Sequence, residues 1–119
     1  MNESPWTITF YRDPRGRSPV EELIRSLSHQ LQAKVLRDLE VLATFGPALS
    51  MPLNRPVAGF RFSELRSQSG GDIVRTFYFA ATGRQIVILH AFAKKTQRIP
   101  RAELNVAAGR REEYLRNSP

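Results

Sequence analysis

Ile73-Val74-Arg75-Thr76-Phe77-Tyr78-Phe79-Ala80, the break Ala81-Thr82-Gly83-Arg84, and Gln85-Ile86-Val87-Ile88-Leu89-His90 form the stretch on which the fold turns. Two runs rich in β-branched and aromatic residues flank a short glycine-bearing break, the mark of a β-hairpin with Thr82-Gly83 at its tip. Counting outward from that tip pairs Phe79 with Ile86, Phe77 with Ile88 and Arg75 with His90. The first two pairs are core-like. The third sets a cation beside an imidazole at the end of the sheet away from the turn. Ile86-Val87-Ile88-Leu89 is apolar at every position, so the strand from Arg84 to Ala93 is expected centrally, covered by helices on one side at least.

Upstream of the hairpin, Phe60 to Leu65 reads as another strand, joined to Ile73–Ala80 by the longer loop Ser67 to Asp72. Facing Phe60 and Phe62 against Phe79 and Phe77 puts Glu64 opposite Arg75, with Arg66 following on the same face. Residues 47–59 hold three of the eight prolines and read as an irregular connection. Before them, Trp6 to Tyr11 alternates as a first strand, and Asp13-Pro14-Arg15-Gly16 forms a turn. Ser18-Pro19-Val20-Glu21 is a capping box with proline at the first helical position. That helix would bury Val20, Leu23, Ile24 and Leu27. A second helix would bury Leu31, Val35, Leu39 and Leu42 and stop at Gly46-Pro47, making a helical hairpin with the first. Pro100 opens a last helix with Leu104, Ala107, Ala108 and Leu115 on its apolar side. The expectation is one α+β domain over residues 1–119, in the order β-α-α-β-β-β-α, with a twisted, mainly antiparallel sheet.

Composition narrows the function. The chain lacks cysteine, which removes disulfides and thiolate metal sites. It has no apolar run long enough to span a membrane and no signal peptide at its start, so a soluble, cytoplasmic protein is expected. Eighteen Lys and Arg against eleven Asp and Glu give a net charge of +7. Residues 1–59 carry seven basic and six acidic side chains, whereas residues 60–119 carry eleven and five. A second half so cationic suits a polyanion, because neutralised phosphates release their counterions. A merely soluble basic surface is the plainer alternative.

One end of the predicted sheet collects Glu64, Arg66, Arg75, His90, Lys94 and Lys95, with Arg98 and Arg101 close behind in sequence. Taken singly, each has a structural reading. A histidine on a strand is usually a satisfied structural group, Glu64 and Arg75 make an ordinary cross-strand ion pair, and the lysines a solvated strand end. Together, four or more cations around one histidine repel each other, a cost that an anionic ligand such as a phosphodiester would offset. His29, at the junction of the two helices, has no ligand-like neighbour and reads as surface. No HxxxH or acidic cluster suggests a metal, no glycine-rich loop leads into a helix, and no Ser or Cys nucleophile motif is present. No cofactor is expected.

Glu64-Leu65-Arg66, Ile73 to Phe79, Ile88-Leu89-His90-Ala91-Phe92-Ala93-Lys94-Lys95-Thr96-Gln97, and Pro100 before a helix holding Ala107-Ala108 resemble the HigB/RelE-type toxins, in particular their phage-derived Gp49-like branch. The likeness covers most of the chain and is densest from Phe60 to Leu115. It implies the RelE/ParE-like fold. It also implies a toxin of a toxin–antitoxin pair that cleaves mRNA on the ribosome and inhibits translation, attacking through the RNA 2′-hydroxyl without a metal. The implied partners are the ribosome with its mRNA and a helix-turn-helix, HigA-like antitoxin, assembling with the toxin on operator DNA. Within that resemblance Arg75 stabilises the phosphorane, Lys94 and Lys95 are the basic pair after the last strand, and Glu64, Arg66, Arg98 and Arg101 bind or orient RNA. His90 is chosen for proton transfer because its unperturbed pKa lies near neutrality. No tyrosine stands near the start of the last helix, and no histidine near the C-terminus, so the general acid and base stay open. The same fold carries ParE-like gyrase poisons that cut no RNA, and a basic RNA-binding module without cleavage is a third reading.

Overall fold

Alternating apolar runs and two serine-capped helices assemble here into a five-stranded mixed sheet with three α-helices, described for residues 5–48, 54–93 and 98–117 in a computed structural model. The elements are β1 (Thr7–Phe10), α1 (Pro19–Ser26), α2 (His29–Phe45), β2 (Asn54–Pro56), β3 (Ser63–Ser69), β4 (Asp72–Ala81), β5 (Gln85–Ala93) and α3 (Arg101–Asn117), with a 3-10 turn at Gly46–Ala48. The strands lie in the order β1-β5-β4-β3-β2. Among the described strands only the β1–β5 pair is parallel; the other three pairs are antiparallel. No helix among the described residues is long and apolar enough to cross a membrane.

Local chemistry explains the helices. The Ser18 hydroxyl accepts from the Glu21 N–H and the Ser28 hydroxyl from the Leu31 N–H, each satisfying a donor that the first turn leaves unpaired. Gly46 ends α2 at φ +59°, and a side chain there would run into the Trp6 indole. Val20, Ile24, Leu31, Val35, Leu39 and Leu42 are buried, as the helical period requires. The two helices do not chiefly pack on each other, as a hairpin would. α1 lies mainly against β5 and α2 mainly against β3, because a sheet two strands apart offers each stripe its own apolar ground. Both cover one face, over Leu65, Val74, Tyr78, Ile86 and Ile88. The other face carries Phe62, Phe77, Phe79, Val87, Leu89 and Phe92 under α3.

The expected order lacks β2. Asn54-Arg55-Pro56 shows no strand pattern, yet it pairs with Ser63 to Leu65 as an edge strand, where proline is tolerated. Phe60 to Phe62 are consequently not strand. They complete a tight connection in which the Val57 N–H donates to the Phe62 carbonyl at 3.1 Å and Gly59 takes φ +83°. The loop expected over Ser67 to Asp72 shrinks to Gly70-Gly71, since Ser69 already pairs with Asp72. On α3, Tyr114 rather than Leu115 faces the sheet. Leu115 is 44% exposed.

The β4–β5 register also differs from the expectation. Ala81 pairs with Gln85, so the turn holds Thr82, Gly83 and Arg84, the last two at φ +82° and +56°. A bulge then follows: Tyr78 pairs with Ile88 but Phe77 with His90, leaving Leu89 as the extra residue. Phe79 therefore faces Val87, and Arg75 faces Phe92 instead of His90. The bulge breaks strict alternation and turns both Leu89 and His90 toward α3.

Candidate functional site

Strand pairing lays two rows of side chains across the α3 face. Arg55, Glu64, Phe77 and His90 are successive Cα partners from β2 to β5, and Arg66, Arg75 and Phe92 form the next row. Glu64 therefore stands opposite Phe77 rather than Arg75, because the Gly70-Gly71 turn sets Ser69 against Asp72 and shifts the register by two residues. The diagonal still brings the charges together. The Arg75 guanidinium donates through Nη1 to Glu64 Oε2, and Arg55 Nε donates to Glu64 Oε1 at 2.9 Å.

Burial makes this group consequential. Glu64 and Arg75 side chains are each 1% exposed, while that of Arg55 is 48% exposed. A carboxylate this deep is tolerable only when paired and hydrogen-bonded on both oxygens. Arg66 directly opposes Arg75, and its Nε is buried with no hydrogen-bond partner among the described residues. Facing like charges is unfavourable. Two guanidinium groups thus share one carboxylate, a third arginine stands across the strand pair from Arg75, and the surplus charge is positive.

His90 is satisfied from α3. Its Nε2 lies 2.7 Å from Glu103 Oε1, and Arg110 Nη1 lies 3.2 Å from its Nδ1. Arginine can only donate, so Nδ1 accepts and Nε2 carries the proton toward Glu103. Burial pushes the His90 pKa below its ordinary value, outweighing the opposing Glu103 hydrogen bond, with Arg110 adding to the fall. The imidazole is therefore neutral near neutrality, stacked beside Phe92 at 5.7 Å. Arg110 is held in turn by the Leu89 carbonyl at 3.0 Å and lies over the Tyr11 ring at 5.0 Å.

Of the residues singled out in the sequence, Glu64, Arg66 and Arg75 come together. His90 lies in the Glu64 row, one strand beyond Phe77. Arg101 opens α3 with its guanidinium 5.5 Å from the Phe60 ring, and Arg98 is exposed just before it. Lys94 and Lys95 lie outside the described residues. His29 is exposed at the start of α2. Sequence reasoning missed Arg55, Glu103 and Arg110. The last two carried a signal: Glu103, Ala107, Arg110 and Tyr114 recur at the three- and four-residue steps of one helix face. Arg55 had none. A cleft of about 530 Å³ opens beside the first row, lined by Phe60, Arg61, Phe62, Ser63 and Arg111 among others. No three His, Cys, Asp or Glu side chains among the described residues converge as metal ligands would.

A family model described as phage-derived protein, Gp49-like, matches residues 22–112, from within α1 to late in α3. No curated protein matches the chain.

Proposed function

Since the chain belongs to the phage-derived Gp49-like family, a RelE/ParE-type family of toxins from toxin–antitoxin pairs, we propose that it is a HigB-like, ribosome-dependent endoribonuclease that cuts mRNA without a metal ion. The observation that carries this reading is the pairing of Arg55 and Arg75 with the single carboxylate of Glu64, with Arg66 directly across the strand pair from Arg75. A gyrase poison has no need of such a charge trap on the sheet, whereas a phosphodiester fits it.

In this reading the RNA 2′-hydroxyl attacks the adjacent phosphorus and the bond to the 5′-oxygen breaks. The products are a 2′,3′-cyclic phosphate and a free 5′-hydroxyl, with one proton removed from the nucleophile and one delivered to the leaving oxygen. Arg55 and Arg66 grip phosphate oxygens, Glu64 orients the guanidinium groups on either side of it, and Arg98 and Arg101 extend the cationic track. Arg75 stabilises the phosphorane. It is 1% exposed and paired with Glu64, so RNA binding must open the site to bring this guanidinium to the phosphate, where a preorganised donor acts strongly. Lys94 and Lys95 complete the cationic set.

Proton transfer is assigned to His90. To act as a base it must exchange the Arg110 contact at Nδ1 for the substrate hydroxyl, so RNA binding and release of that contact are coupled. The cleft beside Arg111 is large enough for a neighbouring nucleotide. Family membership implies an antitoxin, and a HigA-like helix-turn-helix protein is the proposed one. Expression without that partner should stop translation and create new mRNA 5′ ends inside translated regions. Intact mRNA together with double-strand DNA breaks would move the protein to the gyrase class.

A further inference from the structure

We propose that two clefts on either side of Arg111 form one groove that holds a dinucleotide step of single-stranded RNA, with the bridging phosphate on Arg111 and Arg61 and one base against Phe60. The proposal rests on RNA as the substrate, but not on its cleavage.

Unequal strand lengths make the groove. β3 begins at Ser63, opposite Tyr78, whereas Phe79, Ala80 and Ala81 of β4 run on beside β5 alone among the described strands. The chain before Ser63 turns aside at Gly59, closed by the bond from the Val57 N–H to the Phe62 carbonyl. A notch is left beside the end of β4. Arg111 reaches over it from α3, its guanidinium 5.0 Å from the centre of the Phe79 ring. On one side lies the cleft of about 530 Å³ that Phe60 and Arg61 line. On the other lies a second of about 570 Å³, lined by Thr82, Gln85 and Tyr114 among others. Phe79, Ala80 and Arg111 line both, so the two spaces share one wall. Phe79 stands four residues along β4 from Arg75, or about 13 Å at the rise of a strand. The groove therefore extends beyond the Glu64 row and is separate from it.

Charge and hydrogen bonding select the occupant. No Asp or Glu lines either cleft among the described residues, and neither Arg61 nor Arg111 makes an ion pair among them. The Arg111 Nε is buried without a hydrogen-bond partner. A guanidinium held over an aromatic ring and short of an acceptor suits a phosphate, whose oxygens can take two of its N–H donors at once. Phe60 supplies a fixed aromatic wall: its ring packs 5.2 Å from that of Phe62, with the Arg101 guanidinium 5.5 Å away. Such a wall accepts a base of any identity by stacking. In the second cleft the Tyr114 hydroxyl donates to Gln85 Oε1 at 3.0 Å, which orients the amide and leaves its N–H donors for the next base. An acidic peptide would satisfy the arginines but leave the aromatic wall and the amide unused.

Nuclear magnetic resonance titration of the full chain with a tetra-adenylate RNA, 2′-O-methylated so that it cannot be cut, tests the groove. The expected result is saturable shifts of the Arg111 Nε–H and Phe60 ring signals. Arg111→Gln and Arg61→Gln should each weaken binding about tenfold, as loss of a charged hydrogen bond does. Arg61 is exposed, so its replacement leaves the fold intact. Arg37→Gln removes the same charge from an exposed position of α2, on the opposite face of the sheet, and should alter affinity by about twofold at most. Signals that stay still, or an equal loss of affinity in Arg37→Gln, would overturn the proposal. So would inorganic phosphate binding as tightly as the RNA with no shift at Phe60, which would leave an anion site only. Tighter binding of a glutamate-rich peptide at the same signals would overturn it in favour of a protein partner. Because this RNA cannot be cut, a protein that shows these shifts yet leaves mRNA intact sinks the nuclease reading alone, and one that cuts mRNA without them sinks the groove alone.

Discussion

Replacing Glu64 with alanine tests whether the arginine cluster is held together as described. Both Glu64 and Arg75 side chains are 1% exposed, so the substitution strands a guanidinium in the interior with its carboxylate gone. Removing one partner of a buried ion pair costs about 3–5 kcal/mol, because the remaining charge keeps its desolvation penalty without the attraction. Arg55, with its side chain 48% exposed, contributes little to that figure, since it can turn to water. Against a total stability of about 5–15 kcal/mol for a domain of this kind, the loss is severe. At about 4 °C per kcal/mol for this chain length, the melting temperature should fall by about 12–20 °C. Glu64→Gln should recover little, because it keeps shape but not charge. The double change Glu64→Leu with Arg75→Met should recover much of the loss, since neither charge is then buried. Thermal unfolding followed by circular dichroism reads all three. A Glu64→Ala protein that melts within about 3 °C of wild type would refute the argument and return Glu64 to an incidental contact.

Acidification should weaken the fold through His90, whose folded pKa lies below the unfolded value of 6.5. The stabilisation is present above 6.5 and is lost as pH falls through the folded pKa, because the unfolded chain then binds the extra proton. Comparing chemical denaturation of wild type and His90→Gln across that range checks this; equal pH slopes would contradict it. Arg55→Gln, Lys94→Ala and Lys95→Ala should each weaken RNA binding and flatten its dependence on log salt by about one unit, as loss of a phosphate contact does. Titrations at several salt concentrations would show it, and an unaltered slope in all three would remove them from the interface.

What the sequence disclosed follows from side-chain periodicity, and what it hid follows from backbone geometry. Val20, Ile24, Leu31, Val35 and Leu39 announce their helices because burial repeats with the helical turn. β2 is silent because Asn54-Arg55-Pro56 holds its place by backbone pairing at an edge, which leaves no apolar pattern. Arg55 was lost with it. The bulge at Leu89 defeats any count of alternating faces, so Arg75 and His90 were placed in one pair when they lie in adjacent rows. Glu64 and Arg75 were nevertheless joined in the expectation, and they meet diagonally. Their depth was not legible, because charged residues are seldom fully buried. The Glu103 and Arg110 partners of His90 stand on a readable helix face, but only the bulge at Leu89 turns His90 toward it.

Cleavage on purified ribosomes programmed with a defined mRNA tests the central claim most directly, with the chemistry of the new ends as readout. Wild-type protein should yield fragments ending in a 2′,3′-cyclic phosphate and beginning with a 5′-hydroxyl. Arg75→Gln, checked for folding, should slow the single-turnover cleavage step by on the order of 100-fold while ribosome binding persists. Intact mRNA with folded wild-type protein bound to the ribosome, or cleavage that leaves a 5′-phosphate, would contradict the account.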